Sequence, residues 1–165
     1  MLTQLIKEEF SRRIQEESQR RIQFCISQLT EEEVWRKPND HTNSVGNLVL
    51  HLCGNGRQWI LSSFGNIPDE RIRHKEFDPE NRVSKSDLES LLVKTIQDLV
   101  YQVNFLTAED LESWYEIQCF RDTGVAVLIH VIEHFSYHTG QITLLTKLMK
   151  NMDTGYYDGL QLEIN

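Results

Sequence analysis

Apolar residues recur every three or four positions along four stretches of the chain, a spacing that places them on one face of an α-helix. We therefore predict four long helices, at about residues 2–29, 44–63, 84–105 and 123–150. Asn43 or Ser44 is a suitable N-cap for the second helix, because short polar side chains accept hydrogen bonds from the free N–H groups of a helix start. Ser84 begins a capping-box pattern before the third. Four helices of similar length, each with one apolar face, predict an all-α fold, a four-helix bundle with long crossover connections.

The connections between these helices are long, so their order need not be simple up-down-up-down. Residues 65–82 combine glycine, asparagine and proline with dense charge and are predicted to form a crossover loop. Residues 107–120 form a second linker, with a short extended piece expected near residues 115–120. Residues 154–165 form a polar tail, which leaves residues 1–153 as a single domain.

The first helix has a gap in its apolar pattern, where Glu17 and Ser18 occupy the turn between Ile14 and Ile22. An exposed turn would explain this gap. Alternatively, the gap marks the layer of the bundle that faces a polar site. Glu17 is then of interest, because it is the only carboxylate in the middle of a helix that lies on an apolar seam.

The fourth helix carries two histidines, His134 and His138, at a spacing that stacks both imidazoles on one face. The seam of alternating three- and four-residue steps consists of Val127, Val131, His134, His138, Gln141, Leu145 and Leu148. The two histidines thus occupy positions where a bundle helix buries its core residues. A buried imidazole needs a partner for each ring nitrogen. A metal ion bound by both is the simplest shared reason for the pair.

A third ligand must come from another helix. His51 is the best candidate, because it lies near the middle of the second helix at the edge of its apolar stripe. The carboxylates near that helix lie in loops and are weaker candidates. Neutral imidazole suits Zn, Ni, Cu and Fe, and three such ligands plus water describe an open site of the catalytic type. His130 falls one position off the seam, so we expect it to flank the site rather than to bind the ion.

The composition is that of a globular protein without nucleic-acid or membrane partners. The formal net charge is −8, and Lys and Arg are interleaved with Glu, which argues against a nucleic-acid-binding surface. No apolar run approaches the roughly 20 residues that span a bilayer, and charges in the first ten residues argue against a signal peptide. Cys25, Cys53 and Cys119 show no disulfide or zinc pattern and are expected to be reduced thiols of a cytoplasmic protein.

Parts of the sequence resemble the DinB/YfiT superfamily of four-helix metalloenzymes. The matching parts are residues 43–55 (NSVGNLVLHLCGN), residues 134–141 (HFSYHTGQ), residues 29–35 and Pro38. The resemblance covers nearly the whole chain and implies a divalent metal ion on His51, His134 and His138. Characterised members of that superfamily include S-transferases and isomerases that use mycothiol, bacillithiol or glutathione. The resemblance therefore implies a metal that binds a thiol and lowers its pKa.

These observations favour a metal-dependent enzyme with a small-molecule substrate, such as a thiol-dependent S-transferase or a related transferase or hydrolase. We expect Zn or Ni as the ion and a low-molecular-weight thiol as a second cofactor. Gln141 and Asn55, each one turn beyond a proposed ligand, are expected to orient ligands or substrate, and His130 to support the site from its flank.

A non-catalytic role is the alternative. In that case the ion would cross-link two helices, and the bundle would form a homodimer through an apolar helix face and act as a binding or stress-response module. We expect a homodimer for the enzyme as well. A pH sensor is disfavoured, because the seam offers no carboxylate to stabilise a charged histidine pair.

Overall fold

The computed structural model describes residues 1–163. Four long helices account for most of them, as the apolar periodicity predicts. In chain order, the helical elements are α1 (Leu2–Ser11), continued by a π-helical stretch (Arg12–Gln19) and α2 (Arg20–Gln28); α3 (Glu31–Val34); α4 (Val45–Gly56), continued by a second π-helical stretch (Arg57–Ser62); α5 (Lys85–Asn104); α6 (Ala108–Glu112); and α7 (Gly124–Lys150).

The helix starts are set by capping side chains, as predicted. Ser44 accepts a hydrogen bond from the backbone N–H of Asn47, whose side chain in turn bonds to the backbone N–H of Ser44. Ser84 caps α5 in the same position, and Thr123 caps α7. These bonds satisfy donors that the first turn of a helix leaves free.

The four long helices pack around one apolar core. The continuous helix α1–α2 contacts α5 and α7, and α4 contacts the same two helices. The predicted stripes of the second and third helices are buried: Leu48, Leu52, Asn55 and Trp59 on α4 and its continuation, and Leu88, Leu92, Thr95, Leu99 and Val103 on α5. The first helix is buried only from Phe10 onward, since Leu2 and Leu5, which fit its apolar pattern, are 71% and 56% exposed.

The buried face of α7 differs from the predicted seam in its second half. Its buried residues include Val127, Leu128, Val131, Phe135, His138, Thr139, Ile142 and Thr146. Leu148, a predicted seam residue, is 69% exposed. A straight α-helix drifts by ~20° per heptad from a 3.5-residue repeat, so the predicted seam leaves the core. His134 consequently lies half-buried at the margin of the core, and His138 lies within it.

Two irregular regions complete the fold. The crossover segment, residues 65–82, contains two 3-10 turns at Arg73–Phe77 and Pro79–Asn81. The extended piece expected near residues 115–120 is an antiparallel hairpin of β1 (Trp114–Ile117) and β2 (Phe120–Thr123). The hairpin adds a small β element to a fold that is otherwise helical, as predicted.

The end of the described chain returns to the helices. The hydroxyl of Tyr156 lies 3.1 Å from Cys25 Sγ on α2 and 3.1 Å from Thr143 Oγ1 on α7. Part of the predicted polar tail is therefore held against the helical core. Within residues 1–163, no helix combines the length and the apolar character needed to cross a bilayer.

Candidate metal centre

Three histidines from two helices meet between α4 and α7. His51 lies on α4, and His134 and His138 lie one turn apart on α7. One ring nitrogen of each lies within 4.8 Å of the others. The structure thus brings together the three residues that spacing and burial favour as ligands.

The spacing of the nitrogens is compatible with a shared ion. Zn–N bonds of 2.0–2.1 Å in a tetrahedral site place neighbouring nitrogens about 3.3 Å apart. The Nε2 atoms of His51 and His134 are 3.0 Å apart. The ring centroids of His138 lie 4.5 Å from His134 and 5.1 Å from His51, so all three rings contact one another.

The second nitrogen of His138 is already engaged. Its Nδ1 lies 2.7 Å from Oε1 of Gln141, which lies three residues further along α7. An amide oxygen only accepts, so Nδ1 carries the proton and Nε2 presents a lone pair. Gln141 therefore contacts a candidate ligand, where we expect an orienting residue.

His51 is engaged in the same way by a residue that the sequence did not indicate. Its Nδ1 lies 2.7 Å from Oε2 of Glu76, in the first 3-10 turn of the crossover segment. Arg71 holds the same carboxylate, with Nε 2.7 Å from Oε1 and Nη2 3.0 Å from Oε2. Glu76 is thus a loop carboxylate that contacts a candidate ligand, because the crossover segment packs against α4.

Gly54 was the signal that could have indicated this contact. It lies three residues after His51, on the same side of α4. A Cβ at Gly54 would overlap Oε1 of Glu76 and lie 3.0 Å from Nε of Arg71. A glycine inside a helix usually has a packing or functional reason. Here the missing side chain makes room for the carboxylate, but the sequence does not say which one.

A buried amide fixes the crossover segment around this pair. Gln58 is 7% exposed, and its Oε1 accepts hydrogen bonds from Arg71 at 2.8 Å and from Gln118 of the hairpin at 2.9 Å. Its Nε2 donates to Asp69 at 2.6 Å. One side chain of the second π-helical stretch therefore joins both irregular regions to the wall of the site.

The electrostatic environment keeps the imidazoles of α7 neutral. Burial, and then the neighbouring His138 and His51, lower the pKa of His134 to about 3. Burial also lowers the pKa of His138, although the hydrogen bond with Gln141 opposes this effect. Neutral imidazole is the form that binds a metal ion, so these groups need not lose a proton at neutral pH.

His130 and Asn55 lie beside the cluster rather than in it. The ring of His130 stacks on Trp59, with centroids 3.6 Å apart, and lies parallel to His134 at 5.5 Å. Asn55 Nδ2 is 3.3 Å from Nε2 of His130, so it contacts this flanking residue and not His51. Burial lowers the pKa of His130 as well. His130 thus flanks the candidate site, where the sequence pattern predicts it.

Other candidate groups lie elsewhere. Glu17 forms surface ion pairs with Arg12 at 2.6 Å and Arg13 at 3.5 Å, and it is not a member of the histidine cluster. The polar gap of the first helix borders a cavity of about 360 Å³ between that helix and α7, which includes Ser18. Burial raises the pKa of Cys53 to about 12, so this thiol is not a nucleophile near neutral pH.

Comparison with solved structures shows that the fold is DinB-like. A DinB-like protein from Bacillus subtilis is 16% identical with a TM-score of 0.67, covering 88% of this chain and 94% of that one. A DinB-like protein from Bacillus cereus is 18% identical with a TM-score of 0.61, covering 80% and 85%. A conserved protein from Enterococcus faecalis is 18% identical with a TM-score of 0.70, covering 92% and 99%.

A comparison of the sequence with models of protein families identifies the family of this chain. The model of the family described as protein of unknown function DUF1572 matches residues 4–157. The chain therefore belongs to this family. Among curated proteins, none is significantly similar to it.

Proposed function

We propose that this chain is a metal-dependent enzyme that binds one divalent ion, Zn²⁺ or Ni²⁺, through His51, His134 and His138. The observation that carries the proposal is the state of the ring nitrogens. In His51 and His138, Nδ1 donates a hydrogen bond to an oxygen atom. The lone pair that can bind a metal ion is then on Nε2. Three imidazoles in contact bring together ring nitrogens that a shared cation would satisfy.

The exposure of the cluster supports an enzyme rather than a closed structural site. His51 and His138 are buried, at 7% and 9% exposure, while His134 is only half-buried. Three protein ligands leave at least one coordination position for a substrate. A divalent ion in such a site lowers the pKa of a bound thiol or water and so supplies a nucleophile near neutral pH. The chain itself orients two of the imidazoles, through Glu76 at His51 and Gln141 at His138.

For the reaction, we propose thiol-dependent transfer to a small electrophile, with a low-molecular-weight thiol as cofactor and the cytoplasm as its location. Cys25 and Cys53 are buried, and burial raises the pKa of Cys53 to about 12, so a separate thiol is the better source of a thiolate near neutral pH. A cavity of about 490 Å³ is lined in part by Arg71 and by Glu76, which contacts His51; none of the three histidines lines it. That volume suits a small molecule.

The test begins with metal analysis of protein purified without a histidine tag, where we expect about one divalent ion per chain. Glutathione, bacillithiol and mycothiol are then each offered with an electrophile, and loss of free thiol is followed. We expect one thiol to be consumed faster than without protein, the effect to disappear with chelator, and zinc or nickel to restore it. Protein that holds the ion but consumes no thiol would contradict the transferase activity.

The second candidate is a metal-stabilised homodimer without catalytic activity. It is favoured by an apolar stripe on the outer side of α7, where Ile129, Tyr137, Leu144 and Leu148 are 49–69% exposed. Chelation should then lower the melting temperature strongly, and light scattering should give twice the chain mass. An enzyme with an open site would lose activity at a smaller cost in stability.

A further inference from the structure

The crossover segment reaches one of the proposed metal ligands with a single buried ion pair. The side chains of Arg71 and Glu76 are 6% and 10% exposed. Removing two charges from water is costly, and a buried pair contributes little net stability compared with apolar residues of the same size. Stability alone therefore does not explain why this pair is buried against His51.

The contact is directional. Arg71 donates a hydrogen bond to each oxygen of Glu76, a geometry that a carboxylate accepts. A carboxylate only accepts, so the 2.7 Å contact requires a proton on Nδ1 of His51. Nη2 of Arg71 lies 3.1 Å from the same Nδ1 but cannot donate to a protonated nitrogen. The lone pair of His51 is then on Nε2, which faces His134.

The carboxylate has little freedom to move. Arg71 binds both of its oxygens, Gln58 holds Arg71, and Gly54 leaves the space that one carboxylate oxygen fills. Bonding of this kind fixes both the tautomer and the plane of a histidine ring, and it makes the other nitrogen a better electron donor.

We propose that Glu76, held by Arg71, is a positioning residue that fixes His51 as an Nε2 donor and thereby strengthens metal binding at the histidine cluster. This inference rests on the proposed metal site. It also links the crossover segment to the ion. A metal ion bound to Nε2 of His51 would strengthen the hydrogen bond from Nδ1 to Glu76, and this hydrogen bond would by the same amount strengthen metal binding.

The experiment compares Glu76→Gln, which keeps an acceptor but loses the charge, with Glu76→Leu, which loses both. Glu80→Gln is the matched control, because it removes a charge from the same segment at an exposed position. Zinc affinity is measured by competition with a chromophoric chelator, and the His51 tautomer by ¹⁵N–¹H correlation spectra of the metal-free protein. We expect zinc affinity to fall about 10-fold in Glu76→Gln and about 100-fold in Glu76→Leu, within the range for loss of such partners.

The tautomer separates positioning from a merely structural role. We expect Nδ1–H in the wild type, Glu76→Gln and Glu80→Gln, and a substantial share of Nε2–H in Glu76→Leu. An unchanged tautomer in Glu76→Leu would overturn the proposal even if zinc binding weakened, and so would unchanged zinc affinity. If the wild type binds neither zinc nor nickel, the proposed function fails, while the tautomer still tests whether Glu76 orients His51.

Gly54→Ala provides a second route if Glu76→Leu does not fold. Its Cβ takes the place of a carboxylate oxygen while the charge remains in the chain. We expect the same loss of zinc affinity and the same gain of Nε2–H. Hydrogen exchange adds a third readout. Zinc should slow backbone hydrogen exchange in the turn Arg73–Phe77 of the wild type, and not in Glu76→Leu or Gly54→Ala. Equal slowing in the wild type and both variants would contradict the link between the crossover segment and the ion.

Discussion

The two faces of α7 differ in how closely other residues pack against them. On the inner face, Phe135 and Ile142 are fully buried, and His138 bonds to Gln141 and contacts two other imidazoles. On the outer face, Tyr137 is 64% exposed, and a Cβ at Gly140 would have no other heavy atom within 4 Å. His134 lies where the two faces meet. A site for chemistry needs both conditions, because the packed side fixes the ligands and the open side admits a substrate.

The largest expected effect is on metal binding at that margin. We expect His134→Ala to weaken zinc binding more than 100-fold, beyond the 10–100-fold typical for loss of an outer partner, because it removes a ligand. Leu144→Ala, on the exposed face of the same helix, should leave the affinity unchanged. Chelator competition measures both. Equal affinities in the two variants would place the ion elsewhere.

The pH dependence of stability should also belong to the inner face. Histidine in an unfolded chain has a pKa of about 6.5, whereas that of His134 is lowered to about 3. Between these values the unfolded chain binds the extra proton and the native one does not. The free energy of unfolding of the metal-free protein should therefore be highest above pH 6.5 and decrease as the pH falls toward 3.

Urea unfolding at several pH values checks this dependence. Protonation of buried carboxylates with a lowered pKa, such as Glu76, also decreases the free energy of unfolding as the pH falls. The informative quantity is therefore the difference between the wild type and His134→Ala. The variant should show the shallower decrease. Parallel curves would mean that His134 is not protected from protonation in the native state.

A smaller effect is expected where α4 packs against the inner face. A Cβ at Gly56 would lie 2.6 Å from Cδ1 of Leu99 and 3.5 Å from Cε2 of Phe135, both fully buried. Overpacking costs about 1–3 kcal/mol, and the better helix propensity of alanine returns up to about 1 kcal/mol. We expect Gly56→Ala to lower the free energy of unfolding by about 1 kcal/mol in urea titrations.

The same substitution on the outer face should have the opposite sign. Gly140→Ala adds a methyl group in open space and removes a glycine from a helix interior, so we expect a gain of about 0.5–1 kcal/mol. Urea unfolding of the two glycine variants side by side makes the comparison. A loss of stability at Gly140 would show that this face is covered in solution, for example by a second copy of the chain.

The positions of the three clustered histidines could be predicted because they lie on regular helices. His51, His134 and His138 follow from periodicity, which fixes the face of a residue from its neighbours in sequence. Glu76 could not be predicted, because its place depends on the path of an irregular segment and on its pairing with Arg71. Leu148 shows a further limit: a strict heptad seam departs from the 3.6-residue period of an α-helix, and at the end of α7 the predicted seam residue is 69% exposed.

The placement of the three histidines has a consequence for how the protein unfolds. His134 and His138 meet as soon as α7 forms, but His51 is 83 residues away from His134 along the chain. An ion shared by all three would close the long loop between His51 and His134. The loss of chain entropy on closing a loop increases with its length. The metal-free protein can open by parting α4 from α7. The loaded protein would keep these helices together and open first at its ends, so that hydrogen exchange would map the closed loop directly.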